Sequence, residues 1–560
     1  MRYSTRLVSS SAAGFPSGEL PVRIPVDVRR FPWIKRLAAD YAHHFEPLAP
    51  FYAGNPATYD AWRETVARTQ AFARDRARMV DVIAAQQQRR GAPPRAVEAR
   101  GRLADSRAVA VVTGQQAGLF GGPLFVLFKA LTAVKLADEV ARTQKIPVVP
   151  VFWVEGEDHD WDEVRSCTVF DADLTVKSVS LPPRNADDTS PVAATRLDTS
   201  ITEAIDELQQ VLPATEFTPA LVEGLRAVYA PGIGMADAFA RWLERTLGER
   251  GLVVYDASDH AAKPLVGQVF SRELAAPGRT SKLAGAAGAS LSSLGYHTQV
   301  QTSDEGLALF HVDQGRHPLR QQDGHFVAGD RQFAAAAIVA EASTKPAAFS
   351  PNVLLRPIVQ DTLFPTICYV AGPSELAYLG QLREVYAQFG VPMPLMYPRA
   401  TATLIDSAAL RFLTKYRVPL EALQRQDDAS LNDLLKAQMP EEVDASFDAA
   451  GGALDAAMAR VTSALPLVDP TLEGAAKSTL GRMQHDLQTL RNKTLQAAKR
   501  RDETLRRQFG RARSLAFPNG HPQEREIGFV SFLNQYGPAL VDRLDDELPV
   551  DMGQHWIISI

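Results

Sequence analysis

Three stretches of the chain concentrate residues able to do chemistry. The first is Thr113–Pro123, TGQQAGLFGGP. Here Thr113, Gly114, Gly118, Gly121, Gly122 and Pro123 shape a turn between a β-branched run and an apolar helix. Glycines let backbone approach a ligand, and a helix N-terminus favours an anion such as phosphate or carboxylate. Gln115 and Gln116 add neutral groups that donate and accept hydrogen bonds. The spacing matches neither GxGxxG nor GxxxxGK[ST], so a tight turn that simply requires glycine reads equally well.

The second stretch is Glu155–Glu163, EGEDHDWDE. Carboxylates this crowded raise one another's pKa unless a cation neutralises them, and that cation is a substrate amine, Mg²⁺ or a buried arginine. Glu157 and Asp160 suit an ammonium group, and Asp158 and His159 suit proton transfer. One imidazole beside carboxylates does not specify zinc, so no metal set is assigned. The competing reading is an exposed acidic loop. The third stretch, Leu355–Tyr378, holds Arg356, Gln360 and Asp361 among apolar neighbours. Arg356 suits a carboxylate or phosphate, or equally an ion pair with Asp361 or another acid. The turn AGPSE then offers Ser374 as a helix N-cap, with Glu375 and Tyr378 in the helix that follows. Without a GxSxG elbow, Ser374 is not read as a nucleophile.

The elements that must position these residues are visible as patterns. Arg107–Val112, Pro147–Glu155, Leu252–Asp256 and Thr366–Ala371 are short apolar runs that read as buried strands. A helix opening at Pro123 joins the first two, which makes a βαβ unit and hence a parallel sheet. His297–Gln301 and Leu307–Val312 alternate and predict a small antiparallel pair. Pro56–Arg102 reads as helical, with Arg63, Arg68, Arg74, Arg76 and Arg78 on a solvated face. Val443 to Leu465 and Leu480 to Ala497 repeat in steps of three and four on either side of Pro466 and Pro470. That pattern predicts an antiparallel coiled-coil arm. The expected division is a mainly helical region over 1–103 and an α/β core over 104–415, with insertions near 165–245 and 258–345. A coiled-coil arm over 416–515 and a tail over 516–560 returning to the core complete it.

Composition narrows the classes. The 560 residues carry 60 Lys plus Arg against 65 Asp plus Glu, a net charge of −5, which disfavours a dedicated nucleic-acid binder. The basic run Lys499–Arg513 reads as a solvated helix end. Two cysteines exclude a disulfide-stapled scaffold and a zinc site of several thiolates. The first twenty residues lack the apolar centre of a signal peptide, and Ala117–Phe128 is too short to span a bilayer. A cytoplasmic protein without membrane partners is expected.

Together, TGQQAGLFGGPLFVLFKA, PVFWVEGEDHDWDE, RPIVQDTLFPTICYVAGPSELAYLGQL, PRATATLI around Arg399 and NGHPQER resemble, in order along the chain, the bacillithiol-synthesis family of cysteine-adding ligases. The resemblance implies a Rossmann-like core related to class I aminoacyl-tRNA synthetases, with connecting-peptide insertions and a coiled-coil arm that forms a homodimer. It implies addition of cysteine to glucosaminyl-malate, with ATP activating the cysteine carboxylate and Mg²⁺ as an accompanying ion. On this reading the phosphates lie at the glycine turn and the acidic loop holds an ammonium group. Arg356 then meets the malate carboxylates, Glu375 and Tyr378 line the same cleft, and Asp158 or His159 takes the proton of the attacking amine. One departure stands out: synthetase relatives carry a His-x-Gly-His signature after the first strand, and Gly118–Lys129 contains no histidine. Two other classes are a metal-dependent hydrolase built on the acidic loop and a non-catalytic nucleotide-binding scaffold.

Overall fold

The computed structural model describes residues 23–185, 187–301, 306–313, 315–437, 441–501 and 503–560. The amino-terminal leader reading falls on residues 1–22, outside the described residues, as does residue 502 in the basic run. Five strands form a parallel sheet: β1 (Val109–Gln116), β2 (Val148–Glu155), β3 (Val253–Asp256), β4 (Thr366–Ala371) and β5 (Leu395–Pro398). Their order is β3-β2-β1-β4-β5. Both faces of the sheet are covered, so Val109–Val112, Val149 and Val151–Val154 are all buried. That double burial is why the strands read as unbroken apolar runs and not as alternation. β1 runs three residues beyond Thr113, so Gly114, Gln115 and Gln116 are strand residues paired with Trp153, Val154 and Glu155. Helix α1 (Leu124–Gln144) crosses from β1 to β2 and is buried along most of its length.

The strand order reverses direction at β1. The chain first builds β2 and β3 on one side, then returns to lay β4 and β5 on the other. In such sheets the loops leaving adjacent strand ends diverge at the reversal, and a crevice opens outside the carboxyl ends.

Long connections supply the walls of that crevice. Between β2 and β3 lie the strand pair Ser166–Phe170 and Val176–Ser180 and the helices Ser200–Val211, Thr218–Val228 and Met235–Leu247. Between β3 and β4 lies an antiparallel five-stranded sheet. Its order is Arg331–Ala334, His325–Ala328, Arg316–Gln322, Gly306–Val312 and Phe349–Pro351. This corrects the predicted pairing of His297–Gln301 with Leu307–Val312. Residues 297–301 form no strand, and Gly306–Val312 pairs with Arg316–Gln322 and Phe349–Pro351. The Gln381 side chain instead holds the backbone N–H and carbonyl of Val300, at 3.3 and 3.2 Å. The true hairpin partner, RHPLRQQ, is too polar and carries a proline, so its alternation was hidden.

The helical segment before β1 forms Tyr59–Ala71, Arg76–Arg90 and Pro94–Arg102. Its arginine face is not uniformly solvated. Arg74 donates to the carbonyls of Thr69 and Asp361, at 2.8 and 2.9 Å, and Arg76 to those of Leu103 and Ala108, at 3.2 and 2.9 Å. Chain ends at these turns leave carbonyls without intrahelical donors, and guanidinium groups satisfy them. Arg90 is buried, pairs with Glu244 at 2.8 Å and donates to the Val254 carbonyl at 2.7 Å, which ties these helices to β3.

Residues up to 404, together with 523–558, make one compact unit, and 405–522 make a second. The second contains the long helices Glu441–Ala464 and Glu473–Arg501. Gln484 meets Asp455 at 2.9 Å, and Arg491 meets Asp448 at 2.9 Å and Asp444 at 2.6 Å. Partners that descend on one helix as they ascend on the other define an antiparallel coiled coil. Val461, Met483 and Leu490 remain exposed along it. Among the described residues, no helix is long and apolar enough to cross a membrane.

Candidate functional site

A cleft of about 780 Å³ opens at the carboxyl ends of β1 and β4, where the strand order reverses. From β1 and the turn after it come Gly114, Gln115, Gln116, Gly118, Gly122 and Pro123. Gly114 must be glycine, because a Cβ there would lie 2.8 Å from the Trp153 carbonyl oxygen on β2. Gly121, at φ +96°, is conformationally required too, but it does not line the cleft; a Cβ would strike the Phe529 ring at 2.4 Å. Thr113 is likewise buried, and its hydroxyl donates to the Val370 carbonyl at 3.0 Å. These two expected ligand positions therefore serve packing. The turn's amides are also largely committed. Gly118, Gly121 and Gly122 donate their N–H groups to the carbonyls of Gln116, Gly118 and Leu119, at 2.9, 3.1 and 3.1 Å.

Lys129 on α1 points under this turn and is 2% exposed. Its ammonium reaches the Gly114 carbonyl at 2.8 Å, Gln115 Oε1 at 3.2 Å and Glu375 Oε2 at 2.5 Å. Burial is the main influence on it and lowers its pKa, opposed by Glu375. From Gln115 an amide chain continues. Gln115 Nε2 donates to Gln116 Oε1 at 3.2 Å, and Gln116 Nε2 donates to Asp158 at 3.0 Å and Glu163 at 2.7 Å. The two glutamines thus connect a buried cation to the acidic loop.

The acidic loop separates into members with different tasks. Glu157 turns inward and is buried against Lys263, which also donates to the Phe349 carbonyl at 3.0 Å. Asp160 caps the short helix Trp161–Val164, accepting from the Glu163 N–H at 3.1 Å. Neither lines the cleft, which corrects their expected role: the cation predicted for Glu157 is the protein's own lysine, and a helix start claims Asp160. Asp158, His159, Glu155 and Glu163 do line it. Arg316, from the antiparallel insertion, lies 3.3 Å from Asp158 Oδ1 and 3.4 Å from His159 Nδ1. Its other nitrogens donate to Ser350 Oγ at 3.2 Å and the Pro351 carbonyl at 2.7 Å. His159 Nδ1 also lies 3.5 Å from Asp158 Oδ1, so the ring nitrogen faces a guanidinium and a carboxylate together. Burial raises the pKa of Glu163, with the Gln116 hydrogen bond opposing it. Burial likewise raises Glu155, opposed by Arg356 at 4.0 Å.

The third stretch forms the far wall. Arg356 begins helix α2 (Arg356–Leu363) and donates to Gln360 Oε1 at 3.1 Å and the Tyr378 hydroxyl at 3.0 Å. Gln360 and Asp361 stand behind it. Gln360 donates to Asp361 at 2.9 Å, and Tyr386 donates to Asp361 at 2.5 Å. Asp361 is fully buried, does not line the cleft and does not pair with Arg356 through its side chain. After β4, helix α3 (Pro373–Leu379) is capped at Gly372, whose N–H donates to Glu375 at 2.6 Å. Ser374 is therefore not the N-cap; it lines the cleft with Glu375 and Tyr378. Burial acts to raise the Glu375 carboxyl, but Lys129, the Gly372 N–H and the Tyr369 hydroxyl hold it below the usual range. The Tyr378 hydroxyl is pushed up to about 12 by burial.

Sequence reasoning passed over Lys129, Arg316, Tyr369, Arg399 and Arg525, all of which line the cleft. Lys129 left one signal, a lysine inside the apolar first half of α1. Arg399 and Arg525 left none beyond belonging to quoted motifs, and Arg316 lies outside them. Both cysteines are buried, and burial pushes the Cys167 thiol up to about 12. Among the described residues, no three His, Cys, Asp or Glu side chains gather to hold a metal ion.

Comparison with known proteins gives concordant matches. The family model described as the N-terminal Rossmann-like domain of bacillithiol biosynthesis BshC matches residues 24–400. The model for the C-terminal coiled-coil domain of the same family matches residues 402–560. A relative from Salinibacter ruber, named "Putative cysteine ligase BshC", is 34% identical over 94% of this chain and 96% of its own. Relatives of the same name from Koribacter versatilis and Chlorobaculum tepidum are each 34% identical. They cover 93% and 83% of this chain and 97% and 85% of their own.

Proposed function

The chain belongs to the BshC family of bacillithiol biosynthesis, and from that premise we propose that its cleft ligates cysteine to the amine of glucosaminyl-malate, with ATP activating the cysteine carboxylate. The observation that carries this reading is the charge pairing of the basic residues that line the cleft. Lys129 pairs with Glu375, Arg316 with Asp158, Arg356 with Glu155 and Arg399 with Glu524. Among the described residues the Glu163 side chain has an amide partner, Gln116, and no cation, and so remains the carboxylate available to an ammonium group. Such a cleft suits substrates that carry an amine and carboxylates together.

Amide formation requires the acceptor ammonium to lose a proton before its nitrogen attacks the activated carboxyl carbon. Asp158 and His159 line the same wall as Glu163, and they are the groups assigned to take that proton. Arg356 keeps N–H groups beyond those it gives to Gln360 and Tyr378, and these suit the malate carboxylates. Mg²⁺ would accompany the nucleotide as its counter-ion. A homodimer is part of the same reading, supported by the exposed Val461, Met483 and Leu490 on the arm.

The test is cysteine-dependent ATP–pyrophosphate exchange on the whole protein, with serine as control, repeated with glucosaminyl-malate present and followed to the thiol product. Exchange and product with cysteine, abolished in D158N/H159Q, are expected. No product under any combination, or full product from the double variant, would overturn the activity or the assignment respectively.

A further inference from the structure

Arg525 is the one arginine or lysine lining the cleft that has no hydrogen bond or ion pair to the protein among the described residues. Every other cation there is engaged. Lys129 spends its three N–H groups on Gly114, Gln115 and Glu375. Arg399 donates to Glu524 at 2.6 Å and to the Ala400 carbonyl at 3.1 Å. Arg356 and Arg316 are held as described above. The Arg525 guanidinium faces the Phe125 ring on the first turn of α1. Its Cζ lies 6.0 Å from the ring centroid, and the Arg399 Cζ lies 5.3 Å from the same ring. Two guanidinium groups therefore share one aromatic ring at the start of a 21-residue helix.

Like charges held this way favour an anion between them. Burial is the main influence lowering the Arg525 pKa; repulsion from Arg399 adds to it, and Glu524 and Glu375 oppose both. Meanwhile the glycine turn has committed three of its amides to its own carbonyls, so side chains must supply recognition. We propose that Arg525, with Arg399 beside it and the α1 N-terminus behind, is the phosphate-recognising subsite of the cleft. A phosphate group offers three oxygens to two guanidinium forks and a helix terminus, where a carboxylate offers only two. The subsite rests on the ligase reading for its role, which is to hold the phosphate chain and its pyrophosphate product. As a binding site it stands separately.

The test is calorimetric titration of the full-length protein with inorganic pyrophosphate, with and without Mg²⁺, and with L-malate as a second probe. R525Q is expected to weaken pyrophosphate binding about tenfold or more, the scale of one charge-assisted hydrogen bond, and R525K is expected to fall between. Malate binding and the thermal midpoint should stay at the wild-type values, because among the described residues Arg525 has no hydrogen bond or ion pair to lose. Unchanged pyrophosphate binding in R525Q, or none by wild type in either buffer, overturns the proposal. So does a loss of malate binding in place of pyrophosphate binding. If R525Q loses pyrophosphate while wild type forms no product under any combination of substrates, the subsite stands and the ligase reading fails.

Discussion

Replacing Lys129 with methionine removes a charge while keeping most of the aliphatic stem that packs inside α1. The variant leaves Glu375 with the Gly372 N–H and the Tyr369 hydroxyl, at 2.6 and 2.7 Å, but without its counter-ion. Removing one partner of a buried ion pair costs about 3–5 kcal/mol, because the survivor is left uncompensated. The Glu375 side chain is 21% exposed to the cleft, so a value near the bottom of that range, about 3 kcal/mol, is expected. Urea unfolding of wild type, K129M, E375Q and K129M/E375Q at pH 8 and pH 5 measures it. In wild type the Glu375 pKa is depressed below its usual 4.5, so its contribution is complete above 4.5 and fades as pH falls through the folded value. In K129M burial dominates and raises that carboxyl, so a proton replaces the missing ammonium on acidification. The K129M penalty should thus be largest at pH 8 and smaller at pH 5, and the double variant should regain about 2 kcal/mol of the loss. A K129M protein within about 1 kcal/mol of wild type at pH 8, or a penalty that grows toward pH 5, refutes the pairing argument.

R316K keeps a positive charge but loses the fork that joins Asp158 and His159 to Ser350 and Pro351. Turnover should fall at least about tenfold with a smaller change in KM; unchanged turnover would show that Arg316 does not orient Asp158 and His159. His555 sits between the Thr401 and Thr403 hydroxyls, at 2.8 Å from each, and burial lowers its pKa to about 4. The folded protein resists protonating it, so about 2 kcal/mol of stability should disappear between pH 6.5 and pH 5; H555Q should flatten that slope in urea titrations. G121A should destabilise by about 2–4 kcal/mol, because it combines a positive φ with a Cβ driven into Phe529. Wild-type stability in G121A would mean that the turn relaxes freely.

The fold was legible where local pattern and environment agree. β1, β2, β3 and β4 are covered on both faces, so continuous apolar runs announced them. The arm kept its heptad-like steps because each helix packs along a single seam. The antiparallel insertion is hard to read because Arg316–Gln322 carries polar residues at nearly every position, and only Arg316 of them lines the cleft. Buried Arg316 stands where an apolar residue would have marked the alternation.

The chemistry divides along a related line. Residue types and spacing were enough to mark the glycine turn, the acidic loop and the Arg356–Tyr378 segment, because unusual density of such groups is a one-dimensional property. Which carboxylate faces a ligand is not. Glu157 and Asp158 are adjacent, yet one is buried on Lys263 and the other lines the cleft beside Arg316. Lys129 has its partner at Glu375 and Arg399 at Glu524, on segments far away in the chain that only the strand order brings together. An ion pair is decided by distance and desolvation, and both are set by tertiary packing. Sequence shows which groups could be charged; the folded arrangement of strand ends decides which charges are spent on the protein and which are left for a ligand.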